Sequence, residues 1–265
     1  MHSVLYVEDC IVPIISVPHA DDTKFRFLGS GFYIGNEGYL LTCKHVIESA
    51  TKDEGLFAYQ LGKKRTLELT VIRKSGKYDI SLCKSLSPGI QNPWHFIDEA
   101  YITLGSDIEV YGYLHEPLGD HELSFTQRYL KGHITSISRQ REFPDSFELN
   151  IPVLFGMSGS PLVCHLPVEG ETQRRTCIAG MVYGCRESEV VGHTVIETEV
   201  YKERVSKIVE LGLSYMPKAV FSVLGETKID FDIEVATEKG LEEIGQITPA
   251  DGLQPPLISI VIGSK

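Results

Sequence analysis

Short apolar segments, many of them rich in β-branched residues, recur along the sequence between clusters of Gly, Pro, Asn and Asp. Segments of roughly four to eight such residues bounded by turn residues are typical of strands, whereas helices need longer periodic stretches. About eleven strands at this spacing predict an all-β protein built as an antiparallel sandwich or a pair of barrels. The predicted strands are Cys10–Val17, Gly31–Ile34, Tyr39–Thr42, Leu67–Ile72, Ile80–Lys84, Ile108–Tyr113, Lys131–Ser138, Phe147–Ile151, Pro161–His165, Cys177–Tyr183 and His193–Glu197.

Helical periodicity is scarce. A short helix is predicted after His45, and a longer one from about Glu199 to Leu211, where apolar residues line one face and Gly212 can cap the end. After Pro217 the pattern changes, because Ile229 to Val235 alternates apolar residues with acids, as in a half-exposed strand.

The sequence divides into a main part and a shorter tail. Residues 1–215 carry nearly all the predicted strands and are expected to form one domain, whereas residues 216–265 form a C-terminal extension. The extension is too short for a second large domain, and its last stretch, PPLISIVIG, is a further candidate strand. Its role has no signature in the sequence.

Charge and composition exclude several classes of partner. The 265 residues are 42% hydrophobic, which is enough to bury a large core, and their formal net charge is −11. Neutralising phosphates needs clustered Lys and Arg, so this charge opposes binding to nucleic acid or to an anionic membrane. Acids at Glu8 and Asp9 interrupt the first apolar stretch, which therefore reads as neither a signal peptide nor a membrane span.

The six cysteines are expected to be free thiols, because a chain of this length does not need disulfides for stability. Cys164 and Cys177 form the one pair that could bridge a predicted hairpin. Together with the N-terminal pattern, free thiols predict a cytoplasmic protein.

The segment LFGMSGSPLV, Leu154–Val163, places Ser158 between Gly156 and Gly159. Such clusters are most often plain turns, since Gly, Ser and Pro are common turn residues. The other interpretation is a nucleophilic serine whose backbone approaches a substrate carbonyl closely. Acyl transfer by serine also needs a base, an acid that orients the base, and backbone N–H donors for the oxyanion.

Candidates for the base and the acid stand at strand ends. His45 directly follows the apolar run in GYLLTCKHVIE, and Asp79 introduces the apolar run in GKYDISLCK. A carboxylate at the head of a buried strand needs a hydrogen-bond partner, and an imidazole N–H would serve. The chain order His45, Asp79, Ser158 is the one used by chymotrypsin-type barrels, out of three unrelated arrangements of such residues.

Taken together, these segments resemble the trypsin-like (chymotrypsin-fold) serine proteases, and in particular the HtrA-like and other bacterial trypsin-like peptidase domains. The resemblance covers about residues 8–212 and lies in the stretches GSGFYIGNEGYLLTCKHVI, KYDISLCK, LGSDIEVYGYLHEP, KGHITSISR and GMSGSPLV. It implies two six-stranded antiparallel β-barrels with the active site between them, followed by a C-terminal helix and a short tail.

The resemblance also assigns roles. Ser158 would be the nucleophile, His45 the general base and Asp79 the residue that orients the base, with the N–H groups of Gly156 and Ser158 as the oxyanion hole. The implied activity is that of a serine endopeptidase acting on protein or peptide substrates through an acyl-enzyme, without a cofactor or metal.

Substrate preference is read from the segment before the nucleophile. Trypsin-type members carry an Asp six residues before the serine, and here that position holds Pro152, so no charge is expected on the pocket floor. Val153, Tyr183 and Thr194 are predicted to line an apolar pocket that suits a medium apolar residue before the scissile bond. Alternatively, His193 could reach this pocket and select an acidic side chain.

Two departures leave alternatives open. No Arg precedes an Ile-Val-Gly-Gly start, so activation by propeptide cleavage is not supported, and we expect control by a regulatory partner or ligand. A catalytically silent protease-like module that binds extended peptides by strand addition is the main rival. A zinc site at Cys43 and His45 is disfavoured because the sequence contains no C-x-x-C motif.

Overall fold

The computed structural model describes residues 10–21, 24–35, 37–86, 94–115, 125–138, 145–170, 172, 174–191, 206–227, 234–237 and 239–243. Strands dominate this part of the chain and form two sheets, which confirms the predicted all-β fold class. Ten of the eleven predicted strands overlap strands of the structure. The eleventh, His193–Glu197, lies outside the described residues, as does PPLISIVIG.

The first sheet is a closed antiparallel barrel of six strands in the order β1-β2-β3-β6-β5-β4. A short helix, α1 (Lys44–Glu48), follows β3 as predicted. Apolar side chains that alternate inward along these strands, such as Ile14, Phe32 and Leu82, are fully buried and fill the barrel. The strands are β1 (Ile11–Pro18), β2 (Arg26–Ile34), β3 (Tyr39–Thr42), β4 (Glu54–Gln60), β5 (Arg65–Lys74) and β6 (Ser81–Ser85).

The second sheet has nine strands. Six of them, β8, β9, β10, β13, β12 and β11, pair antiparallel in that order, and β11 pairs with both β12 and β8, which closes the ring. Three more strands extend it: β7 joins β12 and β14 joins β7 by parallel pairing, and β15 joins β14 by antiparallel pairing. The strands are β7 (His95–Ile97), β8 (Asp107–His115), β9 (Phe125–Ser138), β10 (Ser146–Leu149), β11 (Pro161–Leu166), β12 (Arg175–Val191), β13 (Ser206–Tyr215), β14 (Glu234–Thr237) and β15 (Gly240–Glu243).

The helix predicted over Glu199–Leu211 is wrong wherever the structure describes it. Residues 206–211 belong to β13, which pairs with β12 on one side and, through its later residues, with β10 on the other. Neighbouring strands supply the backbone partners of this segment, so tertiary pairing overrides its helical spacing. The C-terminal helix is instead α2 (Pro217–Gly225), with a proline at its first position.

Helix α2 packs into a buried cluster that residues of both sheets share. Its Val220, Val223 and Leu224 are fully buried in the same cluster as Tyr78 and Leu82. The proposed division of the chain at residue 215 stays a prediction. Among the described residues, no helix has the length and hydrophobicity needed to cross a membrane.

All six cysteines are free thiols in the structure. Cys164 and Cys177 face each other directly across the β11–β12 pair, as the hairpin interpretation required, but no bond joins them. Five of the six are buried, and Cys185 is the exposed one.

Candidate active site

His45 and Asp79 meet at one end of the first barrel. The pairing of β3 with β6 sets Thr42 opposite Ser81, so the residues just beyond Thr42 and just before Ser81 lie side by side. The backbone N–H of His45 donates to Asp79 Oδ1 at 2.9 Å, and His45 Nδ1 lies 2.5 Å from Asp79 Oδ2. One carboxylate therefore binds both the backbone and the ring of the same histidine, which fixes the ring and leaves Nε2 available.

Ser158 lies in the loop between β10 and β11. Two successive turns shape the loop, with Met157 N donating to Leu154 O and Ser160 N donating to Met157 O, each at 3.0 Å. Gly156 and Gly159 flank the serine at φ values of +96° and +88°, where a side chain is strained. The segment Leu154–Val163 thus contains a tight turn, as both interpretations of it required.

Contacts with the first barrel anchor this loop. The backbone N–H of Ser30, in β2, donates to Ser158 O at 3.0 Å. The Ser30 hydroxyl donates to Gly156 O at 2.8 Å and accepts the backbone N–H of Tyr113, in β8, at 3.0 Å. A buried serine of one barrel therefore binds both the candidate nucleophile loop and a strand of the other barrel.

Strand β12 is where the two halves of the site meet. The carbonyl oxygen of Val182 accepts hydrogen bonds from Gly159 N at 2.8 Å and from the thiol of Cys43 at 3.4 Å. Gly159 is next to Ser158, and Cys43 is two residues before His45, so chain neighbours of both candidate residues bind this one carbonyl.

The hydroxyl of Ser158 points to Tyr183 rather than to the histidine. It donates a long hydrogen bond of 3.5 Å to Tyr183 O, and His45 is bonded through Nδ1 to Asp79. Catalytic hydrogen bonds are often loose in ligand-free structures and tighten in the substrate complex. With His45 as the base, the Ser158 side chain would have to turn away from Tyr183 O.

The N–H groups predicted as the oxyanion hole have no acceptor among the described residues. Neither Gly156 N nor Ser158 N donates a hydrogen bond there, although Gly156 is buried and Ser158 is half-buried. Buried backbone donors are nearly always paired, so two neighbouring unpaired ones suit an external oxygen acceptor.

Cys43, His45 and Asp79 are the one group of described residues whose ligand atoms lie close enough, within 4.8 Å of one another, to hold a metal ion. Burial, reinforced by the Asp79 carboxylate, raises the pKa of the Cys43 thiol well above its ordinary value. The Cys43 thiol donates to Val182 O, and Asp79 binds the backbone N–H and the ring of His45 with its two oxygens, so the ligand atoms of all three residues except His45 Nε2 already have partners. The chemistry of this group therefore fits a hydrogen-bonded imidazole–carboxylate pair better than a metal centre.

The residues predicted to bind substrate differ in burial and in their position relative to Ser158. Tyr183 is half-buried beside Ser158, with its ring stacked on Tyr215 at 4.1 Å between centroids. Val153 is buried in the core of the second barrel, and Pro152 is exposed. Thr194 and His193 lie outside the described residues, so the pocket stays a prediction.

A family model for the trypsin-like peptidase domain matches residues 29–166, just over half of the 265-residue chain. The match spans Ser30, His45, Asp79 and Ser158. The chain belongs to the trypsin-like peptidase family.

Solved structures of HtrA-type proteases share the fold of this trypsin-like peptidase domain. The HtrA-type protease AlgW with a decapeptide has a TM-score of 0.55 at 12% identity, covering 91% of this chain and 77% of AlgW. AlgW with a tripeptide has a TM-score of 0.53 at 15% identity, covering 83% of this chain and 60% of the other. A search of curated proteins finds no significant match.

Sequence reasoning missed three residues around the site of this peptidase domain. Ser30 stands in Gly29-Ser30-Gly31, whose run of small residues was the available signal for close backbone approach. Phe155, beside Gly156, leaves 91% of its surface exposed. Tyr215 accepts a hydrogen bond from Asp79 N, and no local pattern reveals a contact between residues 136 apart.

Proposed function

We propose that this trypsin-like peptidase domain is a serine endopeptidase that hydrolyses peptide bonds through an acyl-enzyme. The observation that carries the proposal is the double contact of Asp79 with His45, made beside the strand on which the Ser158 loop docks. A turn that merely connected two strands would need neither an oriented imidazole nearby nor unpaired N–H groups on both Gly156 and Ser158.

The chemistry follows from these positions. Ser158 Oγ attacks the substrate carbonyl while His45 Nε2 accepts its proton, and Asp79 stabilises the imidazolium that forms. The oxyanion of the tetrahedral intermediate accepts hydrogen bonds from Gly156 N and Ser158 N. His45 then donates the proton to the leaving amine, and a water molecule repeats the sequence on the acyl-enzyme.

The substrates belong to the proposal as well. AlgW was solved with a decapeptide and with a tripeptide, which supports an extended peptide as the ligand here. Pro152 brings no charge, and Val153 and Tyr183 are apolar or aromatic, so we expect a medium apolar residue before the scissile bond. Free thiols suit a reducing compartment such as the cytoplasm, where a regulatory partner would restrain the enzyme.

Covalent labelling tests the nucleophile directly. A fluorophosphonate probe should modify the full-length protein once, at Ser158, and Ser158→Ala should abolish labelling and lower kcat by roughly 10⁴- to 10⁶-fold. The matched control is Ser160→Ala, since the Ser160 hydroxyl is buried in the same loop and has no hydrogen-bond partner in the part of the chain that the structure describes. It should keep both labelling and activity.

A wild-type protein that is neither labelled nor cleaves any peptide library, with or without cell extract, contradicts the proposal. Binding of an extended peptide under those conditions, unchanged by Ser158→Ala, would identify the silent binding module instead.

A further inference from the structure

The loop that carries Asp79 is a compact turn between β5 and β6. Ser75 N donates to Ile80 O at 3.0 Å, which closes the loop. The Ser75 hydroxyl accepts the backbone N–H groups of Lys77 and Tyr78, each at 3.2 Å. These bonds shape the turn, but they do not fix its position relative to the rest of the molecule.

Tyr215, the last residue of β13, holds the backbone of Asp79 itself. Its hydroxyl accepts the N–H of Asp79 at 3.0 Å, and its ring packs edge-on against Tyr78 at 5.5 Å between centroids. The Tyr215 ring also stacks on the ring of Tyr183, and the backbone oxygen of Tyr183 accepts a hydrogen bond from the Ser158 hydroxyl. One tyrosine therefore connects the candidate acid to the strand beside the candidate nucleophile.

Glu226, directly after α2, holds the start of the same loop. Its Oε1 accepts the Ser75 hydroxyl at 3.2 Å. Its Oε2 accepts Nε and Nη2 of Arg73 at 3.1 and 3.0 Å, a paired arrangement that restricts the direction of the carboxylate. Glu226 thus joins the end of β5, the first residue of the loop and the C-terminus of α2.

A third connection comes from the beginning of α2. Lys218 Nζ lies 2.9 Å from Asp145 Oδ1, and Asp145 Oδ2 accepts the hydroxyl of Tyr78 at 2.6 Å. The two ends of α2 therefore reach the Asp79 loop from both sides, one through Glu226 and the other through Asp145.

We propose that Tyr215 and Glu226 are positioning residues that set the Asp79 carboxylate against His45, which makes α2 with its flanks part of the catalytic unit. This inference rests on the proposed function and deepens it. Asp79 binds His45 through both of its oxygens, so a small rotation or shift of the loop breaks at least one bond. Displacements of about 1 Å at such positions cost on the order of 10²-fold in rate.

Tyr215→Phe in the full-length chain is the primary test, because it removes one hydroxyl and keeps the ring. We expect kcat to fall about 10- to 100-fold with KM unchanged, since the base is misoriented while the peptide site is intact. The control is Tyr39→Phe, which deletes a tyrosine hydroxyl that accepts from Lys84 at the other end of β3 from His45. It should leave kcat and KM unchanged.

Glu226 is tested by a pair of variants. Glu226→Ala removes both acceptors and should lower kcat in the same way, whereas Glu226→Gln keeps one carbonyl oxygen for Ser75 and should restore most of the loss.

Coupling to Asp79 separates positioning from a general structural role. In an Asp79→Asn background, Tyr215→Phe should have no further effect on kcat, because the carboxylate through which it acts is gone. Equal losses in both backgrounds would overturn the proposal, and so would wild-type kcat in Tyr215→Phe and Glu226→Ala.

A proton NMR measurement keeps the inference independent of activity. The proton shared by His45 Nδ1 and Asp79 should give a downfield resonance that is weakened or shifted in Tyr215→Phe and unchanged in Tyr39→Phe. This measurement needs no substrate. If the protein cleaves no peptide, the proposed function is wrong, but the resonance still shows whether Tyr215 positions Asp79. An unchanged resonance in Tyr215→Phe would overturn the positioning.

Discussion

The two glycines around Ser158 are required for different reasons. At Gly159 a Cβ atom would collide with the carbonyl oxygen of Ser30 and lie 2.5 Å from Thr42 Oγ1. At Gly156 it would lie 2.5 Å from the ring of Phe27, a side chain that can shift, and 2.9 Å from the backbone oxygen of Tyr113. Gly159 is therefore required by a close backbone collision with the first barrel, and Gly156 by its backbone conformation together with a milder backbone contact with β8.

Gly159→Ala should lower the free energy of unfolding by about 3 kcal/mol or more, because it adds a backbone collision to an unfavourable φ. Gly35→Ala is the matched control, since Gly35 has a φ of +60° and no atom within 4 Å of the added Cβ. It should cost only about 1–2 kcal/mol of conformational strain. Urea unfolding of both variants measures the difference, and equal costs would contradict the assignment.

Gly156→Ala should fold but react slowly. The new side chain displaces Phe27 and strains the peptide that carries one oxyanion donor, so kcat should fall about 10²- to 10³-fold. Steady-state kinetics measures the loss at a temperature well below the thermal unfolding transition of the variant, so that the comparison is made on folded protein. A wild-type kcat would exclude Gly156 N as a donor.

Among individual residues, the sequence predicts those whose role in catalysis only a few residue types can fill. Ser158, His45 and Asp79 stand in short motifs with a distinctive chain order, so they can be found without coordinates. Tyr215 and Glu226 cannot be found in this way, because a tyrosine at a strand end and a glutamate after a helix are common in proteins and belong to no motif. Their contacts with Asp79 N and the Ser75 hydroxyl exist only after both barrels are folded.

Among the secondary-structure elements, β13 and α2 show where local pattern misleads. The apolar residues before Gly212 fit a helical period, yet β12 and β10 pair with this segment. Helix α2 has nine residues, of which six are buried, so little polar face remains to reveal its period. Pro217 at its first position was the available signal.

Strands β8, β9 and β11 share a buried carboxylate whose protonation should affect stability. Burial alone would raise the pKa of Glu109, but hydrogen bonds from Tyr129, Tyr111 and His165 outweigh it and hold the pKa below its ordinary value. A carboxyl group of this kind stabilises the fold above its unfolded pKa, and that contribution disappears as the pH falls through the folded pKa.

Tyr111→Phe should therefore destabilise the protein by about 1 kcal/mol at neutral pH, and the difference from wild type should shrink below about pH 4.5. Tyr113→Phe is the control, because the Tyr113 hydroxyl donates to the backbone carbonyl of Ile11, which does not titrate. Denaturant unfolding between neutral and acidic pH measures both. A Tyr111→Phe effect that is the same at every pH would contradict the role of Glu109.

For the whole molecule, the segment after β13 belongs to the buried core that the two sheets share. Val220, Val223 and Leu224 are fully buried, and each large apolar side chain of this kind contributes about 1.5–3 kcal/mol. Domains are stable by only about 5–15 kcal/mol in total. Removal of α2 should therefore unfold the protein rather than release a regulatory tail.

A chain ending after Leu211 lacks Gly212–Tyr215, which pair with β10, and also lacks α2. We expect it to show no cooperative unfolding transition in denaturant. A chain ending after Glu243 keeps every described element and should unfold cooperatively, close to the full-length protein. Cooperative unfolding of the shorter chain would show that α2 is dispensable for the fold.

The fold class could be predicted because strand patterns are local and the motif order is distinctive. The strand predicted over Ile229–Val235 overlaps β14 at its last two residues, and its earlier residues lie outside the described part of the chain. The parallel pairing of β7 and β14 with the second barrel could not be predicted, since such short strands are defined by their neighbours. The same holds for β4, whose backbone partners lie in β1 and β5.

The hydrogen bonds of the Ser30 hydroxyl affect what happens to the site when the protein begins to unfold. This hydroxyl lies in the first barrel, donates a hydrogen bond to the carbonyl oxygen of Gly156, and accepts one from the backbone N–H of Tyr113 in β8 of the second barrel. Heating that separates the barrels would break both bonds and free the loop that carries Ser158. On the proposed function, inactivation is therefore expected as soon as the barrels separate, and a protein on the way to unfolding would cleave nothing further.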